Sequence, residues 1–412
     1  MKKRIVMTDL AIFAMMILLV SCQNADLNKC LDSNKTSNEI KHLADPQFDT
    51  DEYLERYDHD NGWARSGNVA CITNNTLYFM PPIYGNYILY ADLASGISGP
   101  LCGKPECFHM DESCSAYVYG YAEGMTSYDN HLYWGERRIF QPVEIYSMEY
   151  DGTNRQKVKE LDYNLNQHVN VNYDMFFHRG YIYVGGGVSE VSEGQPYCGA
   201  LVYTVSLNRD EEEIIILDKD FPAETEVRVQ MLAWRNDIYI VLYTWKDSVD
   251  HLSLYRWDSK TRELHELYDE DISFWVFKAW VTDTGILFSS SGNSVIYQYD
   301  FAAEQLALLF DFNEKGSIGG TFFFAENQMI GWYLDENHIP AIQINDFEGN
   351  ELFNSDLNAK EYIKFGEAVH FLGASDSAIY FYWIYSGGKR AVVKIPFDGG
   401  GEVQELWYGY SE

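Results

Sequence analysis

Four potential metal ligands crowd one short stretch: Cys102, Cys107, His109 and Cys114, in the sequence LCGKPECFHMDESC. Three thiolates and an imidazole complete the tetrahedral shell of Zn²⁺ and leave no position for substrate, which makes such a site structural. Gly103, Lys104 and Pro105 suit a turn that brings Cys102 beside Cys107. Disulfide bonding is the competing chemistry, although it has no use for His109. Under either reading the role is structural, a small staple on a loop too short to own a core.

Other catalytic patterns are missing. The sequence has no His-Glu-x-x-His, no Gly-x-Ser-x-Gly and no phosphate-cradling glycine loop, and no catalytic residue is assigned. His59, His131, His168, His178, His251, His265, His338 and His370 stand singly and read as surface histidines. The acidic runs at 210–213 and 269–271 read as solvated loops between strands. Asp58-His59-Asp60-Asn61-Gly62 is one residue short of a calcium-loop pattern and lacks its distant glutamate, so calcium is not assigned there. Gly185-Gly186-Gly187 and Gly399-Gly400-Gly401 read as turns at strand ends.

The N-terminus suggests an address. Lys2, Lys3 and Arg4 precede an apolar run, LAIFAMMILLV, about half the length that spans a bilayer. It ends in Leu19-Val20-Ser21-Cys22, which resembles the lipobox of bacterial lipoproteins. The resemblance implies cleavage before Cys22 and fatty-acyl (palmitate) attachment to it, with the protein held on the outer face of the cell membrane. Residues 1–21 are then a signal peptide, and 22–46 are the lipidated cysteine and a flexible polar spacer poor in aromatics. With Cys22 set aside, Cys30, Cys71, Cys102, Cys107, Cys114 and Cys198 form an even set in an oxidising compartment. Cys71, in an inner strand, reads as a buried free thiol. The formal charge is −32, a surface that repels nucleic acid.

The elements that carry these residues repeat. Seven times an aliphatic–aromatic strand is followed by a polar gap, an alternating strand and a turn: Leu77-Tyr78-Phe79 before YILYADL, Leu132-Tyr133-Trp134 before EIYSMEYDG, and so on to Ile379-Tyr380-Phe381 before AVVKIPFDG. The period of roughly 45–55 residues is that of propeller blades. The second copy reads as a whole four-strand unit: MTSYD, HLYWGERRI, EIYSMEYDG and QKVKEL. Period-2 alternation bounded by Asp-Asn and Asp-Gly turns predicts strands, and nothing after the signal has helical periodicity with caps. The expected fold is all-β: a β-propeller of seven four-stranded antiparallel sheets over residues 47–412, with a Cys-rich insert at 101–116. Stacked blades bury both sheet faces, so the 32 tyrosines and 10 tryptophans are assigned to core packing before sugar binding.

HLYWGERRIFQPVEIYSMEYDGTNRQKV resembles the YWTD repeats of receptor propellers. The whole chain resembles a group of uncharacterised Gram-positive lipoproteins whose domain of unknown function is related to TolB-type and YWTD propellers. That likeness implies a fold and an address but no activity. The box Ser-x-Asp-x-Gly-x-x-Trp of sialidase-like propellers is missing. Insertions at 80–86, 137–142, 185–199, 244–251 and 335–339 read as loops around the channel mouth, and their variation from blade to blade suits binding. The expected function is a surface-tethered, non-enzymatic module for a protein, peptide or glycan, with structural zinc as the sole expected cofactor. The alternative is an extracellular hydrolase or lyase acting in the central channel.

Overall fold

The strands read in the second repeat form one sheet. Tyr121–Tyr128, His131–Arg137, Val143–Met148 and Gln156–Leu161 pair antiparallel in that order. Asp129 and Asn130 both take positive φ (46° and 60°), the conformation of a two-residue hairpin turn matched to strand twist. Opposed in register, Trp134 and Tyr146 stack at 5.8 Å.

The computed structural model describes residues 52–410, apart from 62–68, 82–86, 110, 139, 162–170, 193–194, 209–212, 291, 314–317, 326–327, 335–339, 357–365, 376, 386–388 and 398–402. The chain divides into Met1–Leu43 and Ala44–Glu412, and every described residue belongs to the second unit. Cys22, Cys30, the signal segment, the spacer, the glycine run at 399–401 and the insertion at 335–339 lie outside the described residues.

Seven such sheets, each of four consecutive strands, are arranged as a seven-blade β-propeller, and no helix occurs among the described residues. We number the blades along the chain: 70–100, 121–161, 171–221, 226–272, 276–311, 318–356 and 366–410. Their first strands touch in a closed cycle, the last (Gly366–Ser375) meeting the first (Ala70–Thr73). The aliphatic–aromatic strands of the sequence pattern are the second strands, and the alternating ones are the third.

Blades 1 and 7 are each built from their own strands, so the ring closes without strand exchange. Side chains seal the seam. Leu77 and Phe79 of blade 1 pack with Leu372, Tyr380 and Tyr382 of blade 7, Phe79 meets Trp407 edge-to-face at 5.8 Å, and Ser98 Oγ donates to the Leu406 carbonyl at 3.0 Å. Aromatic rings fill the other gaps in the same way. Tyr133, Tyr183, Tyr203, Tyr299, Tyr380 and Tyr382 are among the largest fully buried side chains.

Every first strand has one edge facing the channel, and its backbone groups need partners. Blades supply these to their neighbours. Asp174 of blade 3 accepts the Met231 amide of blade 4 at 3.0 Å, and Gln230 of blade 4 donates to the Phe277 carbonyl of blade 5 at 3.1 Å. Burial, opposed by the Met231 hydrogen bond and Lys278, pushes the Asp174 carboxyl up to about 7.

A strap formed by residues 52–61 crosses one end of the ring, where turns join first and second strands. It touches four blades in succession. The Arg56 carbonyl accepts the Asp129 amide (2.8 Å) and the Tyr57 carbonyl accepts the Arg179 amide (3.0 Å). Asp60 Oδ1 accepts the Arg235 amide (2.9 Å), and the Asn61 amide side chain exchanges hydrogen bonds with the Val281 N–H (2.7 Å) and C=O (2.8 Å). Asp58 receives Arg179 Nε at 2.6 Å and Nη2 at 2.7 Å, both side chains being buried. The acids once compared with a calcium loop are therefore engaged by blade backbone and a guanidinium.

Three sequence expectations need correction here. Gly185, Gly186 and Gly187 are no turn: they sit inside strand Tyr181–Ser192. A Cβ at Gly187 would lie 2.1 Å from the Val227 carbonyl oxygen, so glycine there permits the close approach of blade 4. The supposed loops at 185–199 and 244–251 belong to the long hairpins of Tyr181–Ser192 with Gln195–Ser206, and of Asp237–Lys246 with Val249–Asp258, whose two-residue turn Asp247-Ser248 has both φ positive. The acidic run at 269–271 lies in the outer strand Glu263–Ile272, where Asp269 and Asp271 grip His251 at 3.1 and 2.8 Å.

Candidate metal centre

The Cys-rich insert leaves the outer strand of blade 1 (Ser98–Pro100) and runs to the first strand of blade 2. Two turns shape it. Lys104 to Cys107 closes on a Cys107 N–H to Lys104 C=O bond of 3.2 Å, with Pro105 preset at the second turn position. Asp111 accepts the Ser113 amide (2.9 Å) while its carbonyl takes the Cys114 amide (3.1 Å). His109 sits between them at φ 53°.

The result is convergence. One donor atom from each of Cys102, Cys107, His109 and Cys114 lies within 4.8 Å of all the others. Zinc bonded to sulfur at ~2.3 Å and to nitrogen at ~2.0–2.1 Å requires tetrahedral donor separations of about 3.5–3.8 Å. His109 Nδ1 and Cys114 Sγ are 3.3 Å apart, so small shifts admit the ion. The group could hold a metal ion. Burial raises the Cys102 thiol, but hydrogen bonds from the Ser115 hydroxyl and the Lys104 amide outweigh it and bring it down to about 6, toward the ligating thiolate. Burial pushes Cys114, the innermost of the set, up to about 12.

Blade 2 holds the insert. The Gly103 amide and the Ser115 hydroxyl both donate to the Gly152 carbonyl, at 3.1 and 3.0 Å. A Cβ at Gly152 (φ 82°) would lie 2.8 Å from the Cys102 and Gly103 nitrogens, so the Asp151-Gly152 turn serves the insert as well as its own hairpin. Arg155 donates to the Ser115 (3.1 Å) and Tyr117 carbonyls, pairs with buried Glu136, and lies 4.5 Å over the Tyr146 ring. Two open clefts of about 540 and 560 Å³ flank the insert. Lys104 lines both, with Tyr119 and Tyr146 in one and Tyr78 and Tyr150 in the other. Phe108, at the insert's tip, is 88% exposed.

The remaining sequence candidates are dispersed. Cys71 and Cys198 are buried free thiols in blades 1 and 3, and burial holds Cys71 up at about 12. Cys102, Cys107 and Cys114 are likewise free. His178 is not a surface histidine. It is buried, accepts the His59 amide on Nδ1 (2.9 Å), donates from Nε2 to the Arg235 carbonyl (2.5 Å), and burial depresses it to about 4. The sequence also missed three aromatic side chains at the opposite axial end, where second and third strands join. Tyr197, Trp245 and Trp275 are 36, 43 and 38% exposed there. Their surroundings in sequence are ordinary strand and loop, with no signal to mark them.

No protein-family model and no curated protein matches the chain. Solved structures do. A prolyl endopeptidase studied for inter-domain dynamics in catalysis aligns with a TM-score of 0.56 and 11% identity, over 83% of this chain and 49% of that one. Prolyl oligopeptidase B from Galerina marginata gives 0.53 and 11%, over 85% and 52%. A nidogen/laminin complex gives 0.36 and 12%, over 60% and 81%. The chain spans about half the length of the two peptidases, and at such identity the likeness is one of fold.

Proposed function

We propose that this chain is a surface-tethered binding module without catalytic activity, built on a propeller whose first inter-blade insert is stapled by a structural Zn²⁺. The observation that carries the binding reading is the trio Tyr197, Trp245 and Trp275. Among the described residues most aromatic rings are buried or partly buried, and these three stay half-exposed on strands and their links at one axial end. Rigid presentation of aromatic groups suits recognition, because little side-chain entropy is lost on binding.

Cys102, Cys107, His109 and Cys114 would hold the zinc. A closed four-ligand shell supplies folding energy and no open coordination position. His109 supports metal over a disulfide, since a disulfide would leave its ring nitrogen beside Cys114 without a purpose. Lipid on Cys22 would attach the molecule to the outer face of the cell membrane through the 22–46 spacer. The resemblance to Gram-positive lipoproteins of unknown function belongs with this reading. A net charge of −32 favours neutral or cationic partners and disfavours nucleic acid.

Two measurements test these points. Cys22→Ser expressed in a Gram-positive host should leave the membrane fraction for the medium, and retention would defeat the tether. For binding, the soluble domain is immobilised and exposed to envelope proteins and glycans, wild type beside Trp245→Ala/Trp275→Ala. Equal capture by both would remove the aromatic end from the account.

A further inference from the structure

Blade 4 is longer than blade 5. Its first three strands run Glu226–Trp234, Asp237–Lys246 and Val249–Asp258, whereas those of blade 5 are Val276–Val281, Gly285–Ser290 and Val295–Asp300. One face of blade 4 packs on blade 5 through Tyr239, Val241 and Tyr243. Beyond Tyr243 the shorter blade gives out, and the same face continues as a ledge.

Register defines what stands on it. Trp245 opposes Glu226 on one side and Asp250 on the other, and Arg228 opposes Tyr243. Opposed residues share a face, so Trp245, Glu226, Arg228 and Asp250 all point to the blade 5 side. Arg228 Nη2 pairs with Glu226 Oε1 at 2.5 Å, and its guanidinium lies 4.7 Å over the ring of Trp275, which enters blade 5. The two half-exposed indoles therefore flank this ion pair, Trp245 opposite Glu226 and Trp275 beneath Arg228.

From this arrangement we infer that the ledge between blades 4 and 5 binds a neutral oligosaccharide. The inference rests on the binding-module reading and names its ligand class. Indole faces receive the C–H face of a pyranose ring, while a guanidinium and carboxylates at its edge match vicinal hydroxyls. Arg228 and Glu226 neutralise each other, and Asp250, which accepts from the Tyr243 hydroxyl, adds one negative charge, so the ledge offers oriented donors and acceptors with a single net charge. An anionic ligand would meet Asp250 and the acidic surface beyond. A cation would find one face of Trp275 already covered by Arg228. A protein partner needs ~800 Å² per side, and two indoles at these exposures offer roughly 200 Å².

The test is titration of the whole mature chain with chito-, cello-, xylo-, manno- and malto-hexaose, read by tryptophan fluorescence and calorimetry. One or more should bind and shift the emission. Trp245→Ala and Trp275→Ala should each weaken that binding about tenfold or more, Trp245→Phe should retain most of it, and Ile97→Ala, at an exposed position of blade 1, should leave it unchanged. Circular dichroism and thermal melting confirm that each variant folds. Absence of binding by every hexaose, or binding that survives the double variant, overturns the inference. Ledge-dependent capture of an envelope protein with no sugar binding would overturn the saccharide but leave the binding module standing, and loss of both would remove the two together.

Discussion

Asp58→Ala removes the carboxylate that keeps Arg179 neutralised inside the strap. Asp58 and Arg179 side chains are 0 and 5% exposed, and the guanidinium makes two of its hydrogen bonds to this one carboxylate. It also donates to Asn236 Oδ1 (2.6 Å) and the Glu52 carbonyl (2.8 Å), neutral acceptors that cannot replace the carboxylate's charge. Breaking such a pair from one side costs about 3–5 kcal/mol. With an unfolding entropy of about 2.1 cal/mol/K per residue, a propeller of this length should melt roughly 4–7 °C lower. Differential scanning calorimetry at neutral pH measures the shift, and amide exchange of residues 52–61 locates it. The double variant Asp58→Leu/Arg179→Met, which leaves no buried charge, should lose less than the single one. A single variant that melts within a degree of wild type, or a double variant that is worse, would refute the view that the strap is pinned by this pair.

Purified under reducing conditions, the chain should carry one zinc per molecule by mass spectrometry, falling to near zero in Cys107→Ser, and His109→Ala should lower affinity about 10–100-fold or more; a protein with no metal and no free thiols in the insert would support the disulfide instead. Stability should respond to pH through two buried groups of opposite sign. Asp174, raised to about 7 by burial and facing Lys278 and Glu123, binds its proton more tightly in the folded state, so its contribution declines as pH rises from about 4 to about 7, and Asp174→Asn should flatten that slope in urea titrations. His178, depressed to about 4 by burial beside Asp58 and Arg179, is neutral when folded, so stability is lost as pH falls from about 6.5 toward 4, with the strap exchanging first. Gly187→Ala should destabilise by more than about 2 kcal/mol, because its Cβ meets backbone that cannot rotate aside; unchanged urea midpoints would show that blades 3 and 4 separate freely.

The second and third strands of each blade were legible because both faces of the sheet are covered, which selects alternating or continuous large apolar residues over six or more positions. Val143–Met148 and Val295–Asp300 show it plainly. First strands such as Val171–His178 were harder to read, since residues like Asp174 are chosen to serve the next blade's open edge and interrupt the apolar pattern. The insert was legible as a ligand set because its donors lie close in sequence.

Sequence alone determined the class of fold, the blade period and the identity of the four clustered candidate ligands, all of which are written in local spacing. Tertiary structure alone decided the strap, the correction at Gly185–Gly187, the burial of His178 and the ledge. Each of these depends on which residues of different blades meet. Asp58 and Arg179 or Arg228 and Trp275 are brought together by ring closure and unequal blade lengths, and no short-range pattern encodes either.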